Sequence, residues 1–200
     1  MVNFRDDFAA LDAVRWTAPD QTQGRGHLNP TNVDANDGSL RIKIPAGTLD
    51  GGAIKSASLH RYGARIKVPD APASITGFFL YDAPDYEKEI DVEIYNDDSR
   101  RIVFSAYAPH YSAGGTLIRE PTHSMTKILA FAPRAAFHDY AFVFYPNLLS
   151  FYADGRLMQS WSDGLPTSPM NLWINTWFPT WLPGEKPETD RYTYVDWIRH

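Results

Sequence analysis

What most constrains this chain is its rhythm: short alternating or apolar runs, each cut off by turn-forming residues, with no sustained helical period. Residues 40–44, 62–68, 75–81, 90–95, 102–107, 140–145, 149–153 and 192–198 are such runs. Asn36-Asp37-Gly38, Asp50-Gly51-Gly52 and Ala153-Asp154-Gly155, with several prolines, mark the breaks. Half-buried strands of this kind turn their apolar sides toward a second sheet, which predicts an all-β sandwich or jelly roll. Helical spacing is expected only over residues 8–16. There is no repeat, low-complexity tract or linker, so residues 1–200 read as one domain, large enough to bury a core without staples.

Composition narrows the function by exclusion. No cysteine is present, which removes disulfides, thiol nucleophiles and thiolate metal sites together. A formal charge of −5 argues against a nucleic-acid partner. No apolar run approaches the roughly 20 residues that span a bilayer, so no membrane partner is expected. Met1 to Asp7 lacks the basic and apolar regions of a signal peptide. The expectation is therefore a secreted protein whose leader has been removed, or else a cytoplasmic one. His27, His60, His110, His123, His138 and His200 are scattered without metal-ligand spacing. Aromatic residues make up 14% of the chain, more than a core needs, which suggests a surface for flat, partly apolar ligands such as sugar rings.

The chemistry concentrates at Glu87, Glu89, Asp91 and Glu93, with Lys88, Ile90 and Val92 between them. Alternate residues of a strand share a face, so Ile90 and Val92 enter the core while the acids line the opposite side. A solvated edge or a calcium site would also use acids. Like charges crowded on one face repel, however, and rigid strand spacing wraps an ion poorly. Glu89 and Glu93 stand about 13 Å apart at their Cα atoms at strand rise, and inclined side chains bring such a pair to the ~5–5.5 Å of a retaining glycosidase.

Glu89-Ile90-Asp91-Val92-Glu93 resembles the E-x-D-x-E signature of glycoside hydrolase family 16. It has the uninterrupted form found in lichenases, xyloglucan transglycosylases and fungal chitin–glucan transferases, not the longer form of laminarinases and agarases. The likeness runs along the chain. Asp6-Asp7-Phe8 with Trp16 is similar to the family opening, and Asn36-Asp37-Gly38-Ser39-Leu40 to the early lichenase hairpin. Phe137-His138-Asp139-Tyr140-Ala141-Phe142, followed by Phe151-Tyr152-Ala153-Asp154-Gly155, resembles a later family stretch. Met170-Asn171-Leu172-Trp173 with Trp181-Leu182 resembles the lichenase M-N-L-W … W-L segment, and Tyr194-Val195-Asp196-Trp197 the last strand.

The resemblance implies a curved β-sandwich jelly roll with a glycan-binding cleft on its concave face, acting as a monomer on a polysaccharide without a catalytic cofactor. It assigns Glu89 as nucleophile, Asp91 as supporting carboxylate and Glu93 as general acid/base. Phe79, Tyr81, Tyr107, Asn171 and Trp173 fall at sugar-contacting positions, and Asp196 with Gly38 at those of a structural calcium. Ala53 and Lys55 stand where lichenases carry a Glu and an Arg, and Glu87 where a Trp is usual. The expected activity is a retaining endo-β-glucanase, with mixed-linkage β-1,3-1,4-glucan as substrate. A transglycosylase, a hydrolase of another β-linked polymer and a non-catalytic glycan-binding module are the alternatives.

Overall fold

The computed structural model describes residues 4–56 and 61–199, with only the backbone of Arg61. Met1 to Asn3, His60 and His200 lie outside the described residues. Sixteen strands are found among those described. They are β1 Arg5–Asp6, β2 Gln21–Gln23, β3 Gly26–Leu28, β4 Val33–Asn36, β5 Ser39–Ile44, β6 Gly52–Ser56, β7 Arg61–Lys67 and β8 Ile75–Tyr81. The second half of the chain adds β9 Glu89–Tyr95, β10 Arg101–Tyr107, β11 His123–Ile128, β12 His138–Tyr145, β13 Leu148–Ala153, β14 Arg156–Trp161, β15 Asn171–Trp177 and β16 Arg191–Arg199.

Two antiparallel sheets carry the fold. One runs β14-β13-β12-β7-β16-β5-β4, with β1 also paired to β16. The other runs β11-β10-β9-β8-β15-β6, and β2 and β3 form a separate hairpin. The expected jelly-roll sandwich is therefore present. Alternation explains the layering: in β5 the even residues Leu40, Ile42 and Ile44 are fully buried while the odd ones are only partly so. Aromatic rings join the sheets, with Phe78 of β8 at 5.2 Å from Phe142 of β12 and Phe104 of β10 stacked at 4.7 Å on Phe151 of β13. Truncating one such ring to alanine costs roughly 3–5 kcal/mol.

A polar cluster is also buried between the sheets. Thr76 of β8, Thr176 of β15 and Thr193 of β16 have their hydroxyls 2.5–3.3 Å apart, and Asn96 accepts from Thr76 at 2.9 Å. None of the three threonines is exposed.

Local expectations fared unevenly. Asp37 with Gly38, and Asp154 with Gly155, take positive φ and close tight hairpins, as their sequences predict. Gly51 and Gly52 instead belong to packed backbone: a Cβ on Gly51 would lie 1.8 Å from the Thr176 carbonyl oxygen. Residues 8–16 are not helical. Asp6 accepts from the Phe8 amide and from the Trp16 indole, and Asp12 accepts from the Val14 amide. These side chains supply the backbone with partners other than a helical turn, while Phe8 and Trp16 pack into the core.

Candidate active site

β9 lies inside the six-stranded sheet, flanked by β8 and β10. Ile90, Val92 and Ile94 are buried at 0–1% exposure against the other sheet. Period two then sends Glu89, Asp91 and Glu93 to the opposite face. The comb has three teeth, not four: β9 begins at Glu89, and Glu87 sits in the preceding turn, where Tyr86 takes φ 68°.

Register builds the surroundings. Glu89 faces Tyr81 on β8 and Tyr107 on β10; Asp91 faces Phe79 and Ser105; Glu93 faces Gly77 and Val103. One strand further, Asn171, Trp173 and Asn175 of β15 stand opposite Tyr81, Phe79 and Gly77. All eight residues expected at catalytic and sugar-contacting positions thus share one face of one sheet. A cavity of about 350 Å³ opens beside the three acids, with Tyr107, Trp177 and Trp181 among its walls.

Among the described residues none of the three acids is in an ion pair, so burial dominates their titration. Desolvation pushes Glu93 up to about 7. It does the same to Glu89, opposed by a hydrogen bond with Asp91 and helped by the nearby Glu93 charge. Asp91, enclosed and hydrogen-bonded to Glu89, is raised well above the ordinary carboxyl range by desolvation first and its acidic neighbours second. A proton held on Asp91 and donated to Glu89 favours the ionised Glu89 carboxylate and offsets part of that rise. Largely enclosed acids without a cationic partner, sharing a proton in a cleft, have the electrostatic character of a catalytic centre.

The sugar-contact candidates differ in presentation. Tyr81 donates to Asp85 at 2.5 Å. Trp173 is only 7% exposed, stacks on Phe79 at 5.9 Å, and carries the Lys55 ammonium 4.9 Å over its ring. It is therefore packed within the wall rather than laid open as a platform, and its indole Nε1 has no partner among the described residues. Ala53 is buried opposite Asn175.

Asn175, Trp177 and Trp181 were missed as site residues. The first two continue the alternation begun at Asn171 and Trp173, so the period alone could have found them. Trp181 is 52% exposed and packs on Tyr95 at 6.1 Å. Its loop is held by Arg25, which donates to the carbonyls of Pro179, Leu182, Gly184 and Ala73 at 2.8–3.2 Å.

Three of the described histidines have local partners. His123 stacks on Trp161, His138 stacks on Phe131 and contacts Asp154 at 2.8 Å, and His110 bonds the Ala108 carbonyl. Asp196 lies on β16 of the other sheet, and Gly38 in the turn between β4 and β5. Asp196 sits where the β16–β7 register shifts, with its carboxylate 3.3 Å from Arg65 Nε; Arg65 also donates to Asp139 at 2.8 Å. Among the described residues no group of three or more His, Asp or Glu is arranged for a metal. With its one carboxylate already facing a guanidinium, the Asp196–Gly38 set does not fit calcium as it stands.

The fold and this acidic cleft define a class, the glycan-cleaving jelly rolls, and comparison with known proteins agrees. Residues 21–199 match the profile of Glycosyl hydrolases family 16. A beta-glucanase of Paenibacillus polymyxa is 30% identical over 216 residues, covering 98% of this chain and 87% of that protein. The endo-1,3-1,4-beta-glycanase ExoK of Rhizobium meliloti is 30% identical over 179 residues, covering 80% of this chain and 62% of that one. The solved Bacillus licheniformis beta-glucanase superposes with a TM-score of 0.83 at 22% identity, covering 98% and 96% of the two chains. The chain belongs to glycosyl hydrolase family 16 and is an endo-acting glycoside hydrolase.

Proposed function

We propose that this protein is a retaining endo-β-glucanase acting on mixed-linkage β-1,3-1,4-glucan, with Glu89 as nucleophile, Asp91 as its supporting carboxyl and Glu93 as general acid/base. The observation that carries the reading is the comb of three unpaired acids on β9 inside the cleft. An oxygen of ionised Glu89 attacks the anomeric carbon. The glycosidic C–O bond breaks, and its electron pair leaves on the oxygen that Glu93 protonates. Water then attacks the same carbon and gives its proton to Glu93. The ester bond to Glu89 breaks, and both acids return to their starting states. These side chains and one water supply every proton and bond partner, so catalysis needs no cofactor.

Phe79, Tyr81, Tyr107, Asn171 and Trp173 would line the glycan's path, with Asn171 offering a directional hydrogen bond and Trp173 backing Phe79 from within the wall. The cleft is complete within one chain, so a monomer suffices. A polymeric glucan is met outside the cell, which favours a secreted protein. The mixed linkage rests on the uninterrupted E-x-D-x-E strand and on the likeness to the Rhizobium endo-1,3-1,4-beta-glycanase.

Proton NMR of the first products on barley glucan tests the stereochemistry: β-anomer appears first if configuration is retained, and α-anomer first overturns it. Reducing-sugar release on barley glucan, laminarin, xyloglucan and agarose tests the substrate. Faster cleavage of any other polymer than of barley glucan removes the mixed-linkage assignment, and accumulation of longer oligosaccharides marks transglycosylation.

A further inference from the structure

Asn175 lies on the cleft face of β15 between Trp173 and Trp177, and it is 1% exposed. Its Oδ1 accepts from the Gly77 amide at 3.2 Å. That contact fixes which end of the carboxamide is which, because the flipped amide would set two donors against each other. Nδ2 is buried and has no partner among the described residues. A Cβ on Gly77 would come within 2.5 Å of the Asn175 oxygen. The carboxamide therefore lies over Gly77, in the space a side chain at 77 would need.

Gly77 pairs with Asn175 on one side and with Glu93 on the other. A cavity of about 50 Å³ is lined by Asn175 and Glu93 together, with Asp91, Gln23 and Trp177 among its other walls. That is polar space large enough for ordered water, and a buried amide donor beside it is costly to leave unpaired.

We propose that Asn175 is a positioning residue for Glu93: its Nδ2 donates, through a water held in this cavity, to the Glu93 carboxylate whenever that group is ionised. The inference rests on Glu93 being the acid/base. Other groups facing Glu93 do not supply a cation. Glu89, Asp91 and Tyr95 come from its own strand, and Tyr107 from β10. Arg101 of β10 is engaged by Asp97 at 3.1 Å and by the Tyr95 ring at 3.8 Å. Tyr81 of β8 gives its hydroxyl to Asp85. β15 carries no charged residue, and the residues of β11 opposite Val103 and Ser105 are Thr126 and Ser124. Neutral donors are left to steady the ionised form, and Asn175 is braced for that role from the far side of Gly77.

The test is the pH–rate profile of Asn175→Ala and, separately, of Gly77→Ala, whose added methyl displaces the carboxamide while leaving Asn175 in the sequence. Removing a donor to the carboxylate makes Glu93 hold its proton more tightly. The alkaline limb of kcat/KM, where the acid is lost, should move up by about half a pH unit or more in both variants. KM should change less than about twofold. Melting curves identify a variant that fails to fold, and the other then decides. An unmoved limb in a folded variant overturns the proposal, as does a large rise in KM with the limb unmoved, which makes Asn175 a sugar contact. Glu93→Gln is run alongside. If it stays active, the acid/base reading itself falls; if it is dead while the limb stays put, only the inference about Asn175 falls.

Discussion

Tyr107 stands directly across the β9–β10 ladder from Glu89. Burial first, and then the charges of Asp91, Glu89 and Glu93, push its hydroxyl well above the ordinary tyrosine range, so it stays a neutral donor at any working pH. Tyr107→Phe should keep the fold and lower kcat/KM up to about tenfold, the effect of losing one hydrogen-bond donor offered to the bound sugar. Wild-type kinetics in that variant would remove Tyr107 from the site.

Glu89→Gln and Glu93→Gln should each abolish hydrolysis while leaving circular dichroism unchanged, because both side chains point away from the core. Azide should restore turnover in the alanine variants. A β-glycosyl azide from Glu93→Ala and an α-glycosyl azide from Glu89→Ala would fix the roles, and the reverse pattern would exchange them.

The same acids weigh on stability. Glu93 titrates near 4.5 when unfolded and is pushed up to about 7 in the fold. Between those values the folded state binds the extra proton, so stability falls as pH rises through the window. Glu93→Gln should therefore melt about 2–5 °C above wild type at pH 8, with the difference vanishing near pH 4. Equal melting at pH 8 would count against a half-buried Glu93 that lacks a cationic partner.

Arg65 holds Asp139 and Asp196 together on the far sheet. If the guanidinium fills the place expected of calcium, chelator should leave the melting temperature of the wild type unchanged. Arg65→Met, which frees both carboxylates, should melt lower and regain part of the loss in millimolar calcium. A wild type destabilised by chelator would restore the calcium site.

Trp181 offers an exposed ring at the cleft wall. Trp181→Ala should raise KM on polymeric glucan roughly 2–10-fold with little change in kcat, matching the loss of one stacking contact. Arg25→Met should reproduce that rise by loosening the loop, and an unaltered KM in both would exclude the ring from binding.

The sheets and the acid comb were legible because alternation at Leu40, Ile42 and Ile44, or at Ile90 and Val92, is imposed by the strand itself. Hairpins at Asp37-Gly38 and Asp154-Gly155 were legible for a similarly local reason. What failed depended on partners distant in sequence. Gly51 looks like a turn until the Thr176 backbone is placed against it. Residues 8–16 look helical until Asp6 and Asp12 claim the amides. Trp173 reads as a sugar contact, and no local signal reveals Lys55 lying over its ring. The period could have placed Asn175 on the cleft face, but its role depends on the absent side chain of Gly77.

The buried threonines have a consequence for how such a protein changes over generations. Thr76 and Thr176 are 100 positions apart in the chain, and Thr176 and Thr193 are 17 apart, yet their hydroxyls form one closed set. Replacing any one by valine takes a partner from each of the other two where no water reaches, so the three losses are not additive. A lineage drifting at one of these codons inherits a weakened protein until the other two follow. Chemistry thus ties together sites that recombination and point mutation treat as unrelated.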